Sequence, residues 1–141
     1  MIDPRNLIPW RIARRWRCVR CGWCCCNYDV PITFEDEERL RKFGDVFWHG
    51  KVGVYLKRID GKCIFYRDGE CLIYEDRPIA CRMYPFYIRR QGDELAKFGD
   101  VYVYLDRNCR GIGKGSKIEE VLNLLLLSKT QLGFDNPHIV F

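Results

Sequence analysis

A chain of 141 residues, 48% hydrophobic and 30% charged, is long enough to bury one modest core and too apolar for wholesale disorder. Its net charge of +5 is concentrated: residues 1–20 hold Arg5, Arg11, Arg14, Arg15, Arg17 and Arg20 against Asp3 alone, so the rest of the chain sums to zero. The longest apolar run, Val121–Leu127, is broken by Asn123 and falls short of the roughly 18 residues a membrane helix needs, so no spanning segment and no membrane partner are expected.

In chain order, Met1-Ile2-Asp3-Pro4-Arg5 lacks the basic-then-apolar plan of a secretory signal, and a cytoplasmic location is expected. Pro9–Arg17 is predicted as a short basic, aromatic helix with Pro9 in its first turn. Thr33 is placed to cap a helix over Phe34–Phe43, with Asp36 completing a capping box and Gly44 ending it. Val52–Asp60 reads as a strand turned by Asp60-Gly61 into Lys62–Tyr66, and Asp68-Gly69 turns again into Cys71–Tyr74, so that Cys63 and Cys71 flank a hairpin. Asp76 could cap a short helix that opens at Pro78, carries Cys81 and stops at Pro85. Phe86–Arg90 and Val101–Leu105 are predicted partner strands. Ser116-Lys117-Ile118-Glu119 is predicted to open a helix running to about Lys129. No internal repeat is apparent. The expected class is α+β, a small cysteine-rich, metal-stapled domain of short antiparallel strands and three to four helices. Residues 1–17 would form a basic arm, 18–130 the metal-binding domain and 131–141 a tail.

The chemistry lies in nine cysteines: Cys18, Cys21, Cys24, Cys25, Cys26, Cys63, Cys71, Cys81 and Cys109. A cytoplasmic chain keeps its thiols reduced, and nine cannot all pair, so metal ligation is the better reading than a disulfide framework. Two-residue spacers in Cys18-x2-Cys21-x2-Cys24 let successive sulfurs turn toward one centre, and Gly22 permits the tight backbone this requires. At least one further ligand must come from Cys63, Cys71, Cys81 or Cys109. The run matches the first three ligands of a ferredoxin-type cluster, with Cys81 as a remote fourth, which favours iron–sulfur (4Fe–4S) over zinc. Cys25 cannot easily point the same way as Cys24, so a second centre is conceivable; one structural metal with buried bystander thiols is the simpler alternative.

The ordered pattern Cys18-x2-Cys21-Gly22-x-Cys24-Cys25, Cys63, Cys71-x-Ile73-Tyr74-x2-Arg77-Pro78-x2-Cys81-Arg82-x-Tyr84-Pro85 and Cys109-x-Gly111-Ile112-Gly113-Lys114-Gly115 resembles the YkgJ-type family of zinc- or iron-chelating domains over about residues 18–125. The resemblance implies Cys18, Cys21, Cys24, Cys25, Cys63, Cys71, Cys81 and Cys109 as ligands, and Cys26 departs from it. A similar region in flagellin lysine-N-methylases implies that some relatives sit in enzymes.

Arg77 and Arg82 flank Cys81 and could offset thiolate charge, or could pair with Glu75 or Asp76 at the surface. The Gly111–Gly115 loop is not a P-loop; it would serve as a turn bringing Cys109 to the metal, with Lys114 a candidate anion contact. The N-terminal arginines and tryptophans suit a nucleic acid, or else simply balance the thiolates. His49 and His138 lie away from ligand spacing. Three functional classes follow: an iron–sulfur protein with a redox or cluster-dependent role and a protein or redox partner, a zinc-stabilised interaction module, and a small metal-dependent group-transfer enzyme related to the lysine-N-methylases.

Overall fold

In the computed structural model, which describes residues 3–127 and 139–140, five α-helices are set among short, mostly antiparallel strands. They are α1 (Trp10–Ala13), α2 (Trp23–Asn27), α3 (Phe34–Leu40), α4 (Ile79–Met83) and α5 (Ile118–Leu127). The α+β class holds, with one helix beyond the expected number. That helix, α2, lies on the cysteine run itself, where no helical periodicity is legible. The chain divides into two compact units, Arg20–Arg82 and the combination of Met1–Val19 with Met83–Phe141.

In the first of these units, Thr33 and Asp36 form the expected capping box at the start of α3. A 3-10 turn over Arg41–Phe43 follows, and Gly44 ends it at φ 92°. Pro31–Ile32, Val54–Leu56 and Phe47–His49 make an antiparallel sheet with Val54–Leu56 in the middle. Beneath it Val30, Leu40, Val46, Phe47, Leu56, Phe65, Ile73 and Ala80 bury a core that includes Cys63.

The two Asp-Gly turns fold as predicted, but the hairpins they make differ from the sequence reading. Asp60-Gly61 (φ 52° and 77°) joins Arg58–Ile59 to Lys62–Cys63, and Asp68-Gly69 (φ 50° and 81°) joins Tyr66–Arg67 to Glu70–Cys71. Both central residues of each turn adopt positive φ, which matches strand twist in a two-residue hairpin and is tolerated best by Asp, Asn and Gly. Cys63 and Cys71 therefore do not flank one hairpin. Each closes its own, opposite Arg58 and Tyr66 respectively. The equivalence extends outward: Ile64 N–H donates to Lys57 O and Leu72 N–H to Phe65 O, both at 2.9 Å. Residues Asp60-Gly61-Lys62-Cys63-Ile64 and Asp68-Gly69-Glu70-Cys71-Leu72 are thus a tandem repeat, where no internal repeat is expected from the sequence.

In the other unit, Val101–Asp106 is the central strand, paired antiparallel with Leu7–Pro9, Phe86–Arg89 and Lys97–Phe98; Ile139–Val140 joins Phe86–Arg89 in parallel. Val103, Leu105, Phe86, Ile88, Ile118 and Leu122 fill its core. The helix expected over Pro9–Arg17 stops at Ala13. Arg14 takes φ 68°, and Arg15–Trp16 pair as a strand with Ser116–Lys117, so tertiary pairing overrides local helix preference. The same pairing starts α5 at Ile118 rather than in a cap at Ser116. The expected end near Lys129, and residues 131–138 of the expected tail with His138, lie outside the described residues. Among the described residues no helix is long and apolar enough to cross a membrane.

Candidate metal centre

The repeated hairpins present their cysteines in the same way. The Cys63 sulfur accepts the Phe65 N–H, and the Cys71 sulfur accepts the Ile73 N–H, each from the residue two further along. Such N–H···S bonds favour thiolate over thiol and fix the direction of the sulfur. The hairpins thus deliver two prepared sulfur donors.

Helix α2 carries Cys24, Cys25 and Cys26. Gly22 is its N-cap at φ 74°, and a Cβ there would lie 2.4 Å from the Tyr66 ring, so both conformation and space demand glycine. Cys26 N–H returns to Gly22 O at 3.1 Å and Tyr28 N–H to Cys24 O at 3.0 Å. Arg58 then ties the helix to the first hairpin. Its guanidinium donates to Tyr28 O at 2.5 Å, to Cys26 O at 3.0 Å and to Gly61 O. Arg58 escaped the sequence reading because a single arginine in a strand pattern carries no local signal.

Cys81 is carried by α4, and α4 is held by α3. The Ile79 N–H donates to the Asp36 carboxylate at 3.2 and 3.3 Å, so Asp36, not the expected Asp76, caps this helix. Asp36 is wholly buried and also pairs with Arg39 at 3.2 Å. Arg39 in turn donates to Asp76 O and Arg77 O at 3.0 and 2.9 Å.

These elements gather the thiols of Cys24, Cys63, Cys71 and Cys81 closely enough that each of the six pairs interacts electrostatically; Cys25 joins through Cys24, Cys63 and Cys81. A hydrogen bond with the Cys25 thiol lowers Cys24 to about 7, helped by its own backbone N–H, that of Cys25 and the charge of Arg77. The same bond, with burial, pushes Cys25 far up. Burial is the first cause that raises Cys63, Cys71 and Cys81, and the neighbouring thiolates add to it. Arg77 acts against this rise at Cys71 and Cys81 as it does at Cys24. Its guanidinium lies 3.8 Å over the Tyr74 ring, with Arg20 over the same ring at 3.7 Å, and its Nε donates to Tyr74 O. Arg82 donates to Glu75 O at 3.3 Å. Among the described residues no group of three or more His, Cys, Asp or Glu side chains is arranged to hold a metal ion as it stands. As thiols grouped around one buried core, the donors fit a thiophilic metal in kind.

Cys26 has a separate partner. The Tyr66 hydroxyl is raised first by loss of hydration, then by charge on Cys26 and a hydrogen bond with it, and by Cys25 and Cys21. Cys21 is exposed.

Cys18 and Cys109 belong to the other unit, where Cys18 is exposed and Cys109 half-buried. The Trp16 indole N–H donates to the Cys109 sulfur at 3.3 Å. Buried Asp106 accepts the Tyr84 hydroxyl at 2.7 Å and the Asn108 N–H at 3.0 Å, and its carbonyl accepts the Cys109 N–H. The glycine loop runs against the segment before Cys18: Arg17 N–H donates to Gly111 O at 3.3 Å, and Gly113 N–H to Arg15 O at 2.8 Å. A Cβ at Gly111 would stand 1.9 Å from Arg17 O, which explains glycine there. Lys114 is exposed on this loop. Among the described residues no disulfide is present.

The profile of the CxxCxxCC family, described as "Putative zinc- or iron-chelating domain", matches residues 17–110. The chain is also similar to "Uncharacterized protein MJ0661" of Methanocaldococcus jannaschii, with 31% identity over 136 residues covering 85% of this chain and 71% of that protein. No solved structure matches.

Proposed function

The chain belongs to the CxxCxxCC family of zinc- or iron-chelating domains, and we propose that Cys24, Cys63, Cys71 and Cys81 are the thiolates that hold its metal. The observation that carries this reading is that Cys71 and Cys81 pack against the buried core that holds Cys63, with Cys24 near enough for its charge to raise all three. The set keeps Cys24 from the closely spaced triad but replaces Cys18 and Cys21 with donors from the repeated hairpins and α4.

Four thiolates suit zinc or a 4Fe–4S cluster, and our reading is the cluster, with a redox or cluster-dependent role. When bound, a cluster supplies one-electron transfer. The chain's own residues do the rest. The Phe65 and Ile73 amides orient two sulfurs, and Arg77 offsets the net charge of about −2 that a four-thiolate centre carries. Val30, Phe65, Ile73 and Ala80 keep water from one side.

Anaerobic purification followed by iron, sulfide and zinc analysis tests the metal. The expected protein is coloured, contains iron and acid-labile sulfide, and bleaches with dithionite; colourless protein with stoichiometric zinc replaces the cluster by a structural zinc. Serine variants test the ligand set independently. C24S, C63S, C71S and C81S should each lose the metal and C26S should keep it, so full retention by any of the first four overturns the assignment.

A further inference from the structure

In the unit that holds the N-terminal arginines, Trp10, Arg11, Arg14, Arg15, Lys117 and Glu119 line a cleft of about 320 Å³. Four cations face one carboxylate there, and all five charged side chains are exposed, so the cleft is a surface groove rather than an enclosed pocket. Two of the arginines are only partly committed. Arg11 uses one guanidinium nitrogen on the carbonyls of Glu94, Leu95 and Lys97, and Arg15 uses one on Gly115 O at 2.9 Å. Both keep further N–H groups for a ligand.

Arg14 is placed deliberately. Its N–H donates to Trp10 O at 3.0 Å and its carbonyl accepts the Ile118 N–H at 2.9 Å, so α1 and α5 together hold it at φ 68°. A non-glycine residue at positive φ is uncommon, and here it sets an arginine into the lining of the groove. Lys117 comes from the strand paired with Arg15–Trp16, in register with Arg15, which fixes the two cations on neighbouring strands.

We propose that this groove binds the phosphodiester backbone of a single-stranded nucleic acid. An open groove lined by four cations suits a strand of repeating phosphates better than a single phosphate group, for which donors would have to converge around one point. Its concavity suits a strand better than a lipid surface. The tryptophans do not offer stacking platforms: Trp10 is buried against Phe98 with its N–H on Lys97 O, and Trp16 packs on Phe86. Recognition therefore runs through charge and is tolerant of sequence, while Glu119 sits where it repels phosphate and can accept from a base amino or sugar hydroxyl group.

The test is fluorescence anisotropy of the full-length purified protein with a labelled single-stranded RNA or DNA 12-mer over a salt series. Four phosphate contacts predict a log–log salt slope of about −3. Arg14→Gly, which suits the positive φ, combined with Lys117→Gln should weaken binding about tenfold or more and reduce the slope to about −1.5. Arg41→Gln, in the other unit and paired with Glu38, should change nothing. Glu119→Gln should tighten binding about threefold, a gain that misfolding cannot imitate. Absence of binding at 50 mM salt, binding indifferent to the Arg14 and Lys117 changes, or no tightening in Glu119→Gln overturns the proposal. So does equal competition by inorganic phosphate, which marks a single-anion site, or tighter binding to phosphatidylserine vesicles, which marks a lipid surface.

Discussion

The Asp36 carboxylate, in the first turn of α3, accepts the N–H of Ile79, the first residue of α4. One buried side chain thus closes its own helix cap and fixes the helix that carries Cys81. Replacing it with alanine leaves Arg39 without its carboxylate and the Thr33 and Ile79 amides without their acceptor. Asp36→Ala should cost about 3 kcal/mol and Asp36→Asn less, since an amide oxygen still accepts. Urea unfolding at matched metal content checks this, and a loss below about 1 kcal/mol would show that the carboxylate holds little.

Cys24, at about 7, should be the fastest-alkylated of the four proposed ligand thiols in chelator-treated protein. Its labelling rate should rise through a midpoint near pH 7. Cys25→Ala, which removes the donor, should move that midpoint upward, because the Cys25 thiol is the first cause of the lowering. Peptide mapping after timed iodoacetamide quenches reads both; a midpoint unchanged by Cys25→Ala contradicts the hydrogen bond.

Metal uptake should release protons. Cys63, Cys71 and Cys81 are raised, so at neutral pH they hold protons that metal must displace, about three per centre, with a further fraction from Cys24. The sign follows: apparent affinity falls as pH falls, and falls more steeply below about 7, where Cys24 regains its proton as well. Cobalt titration at several pH values, with a pH indicator counting protons, measures both effects.

Gly22→Ala places a methyl group against the Tyr66 ring at a backbone angle that alanine avoids. A loss of about 1–3 kcal/mol is expected, with reduced metal content. Tyr66→Ser in the same chain should recover the steric part but not the φ penalty, so thermal melts of the single and double variants separate the two causes.

Arg58→Lys should weaken metal retention about 10–100-fold although charge is kept, because a lysine cannot reach Cys26 O, Tyr28 O and Gly61 O together. Competition with a chromophoric chelator measures it, and wild-type retention would show that α2 is held by other means.

What the sequence made legible was what local chemistry decides. The Thr33–Asp36 box, both Asp-Gly turns and the Phe86–Arg89 pairing with Val101–Asp106 rest on residues close in sequence or on clear alternation. What stayed hidden depends on distant partners. Asp36 reaches Ile79, Arg58 reaches the end of α2, and Ser116–Lys117 turns Arg15–Trp16 into a strand, none of which leaves a local trace. The Cys63 and Cys71 hairpins are hidden for another reason: both turns are legible, but the apolar Lys62–Tyr66 segment between them has the pattern of one continuous strand, whereas it ends one repeat and starts the next.

The tandem hairpins also set an order of assembly. Each closes over a two-residue turn by its own backbone hydrogen bonds, so Cys63 and Cys71 reach their places at almost no loop-closure cost, and Cys81 follows after a short segment. Cys24 must be brought in across the much longer stretch that includes α3 and the three-stranded sheet. In the proposed centre it is therefore the last donor to arrive as the chain folds. The thiol that ionises most readily is thus the one placed last, and the centre closes only once the two ends of that stretch have met.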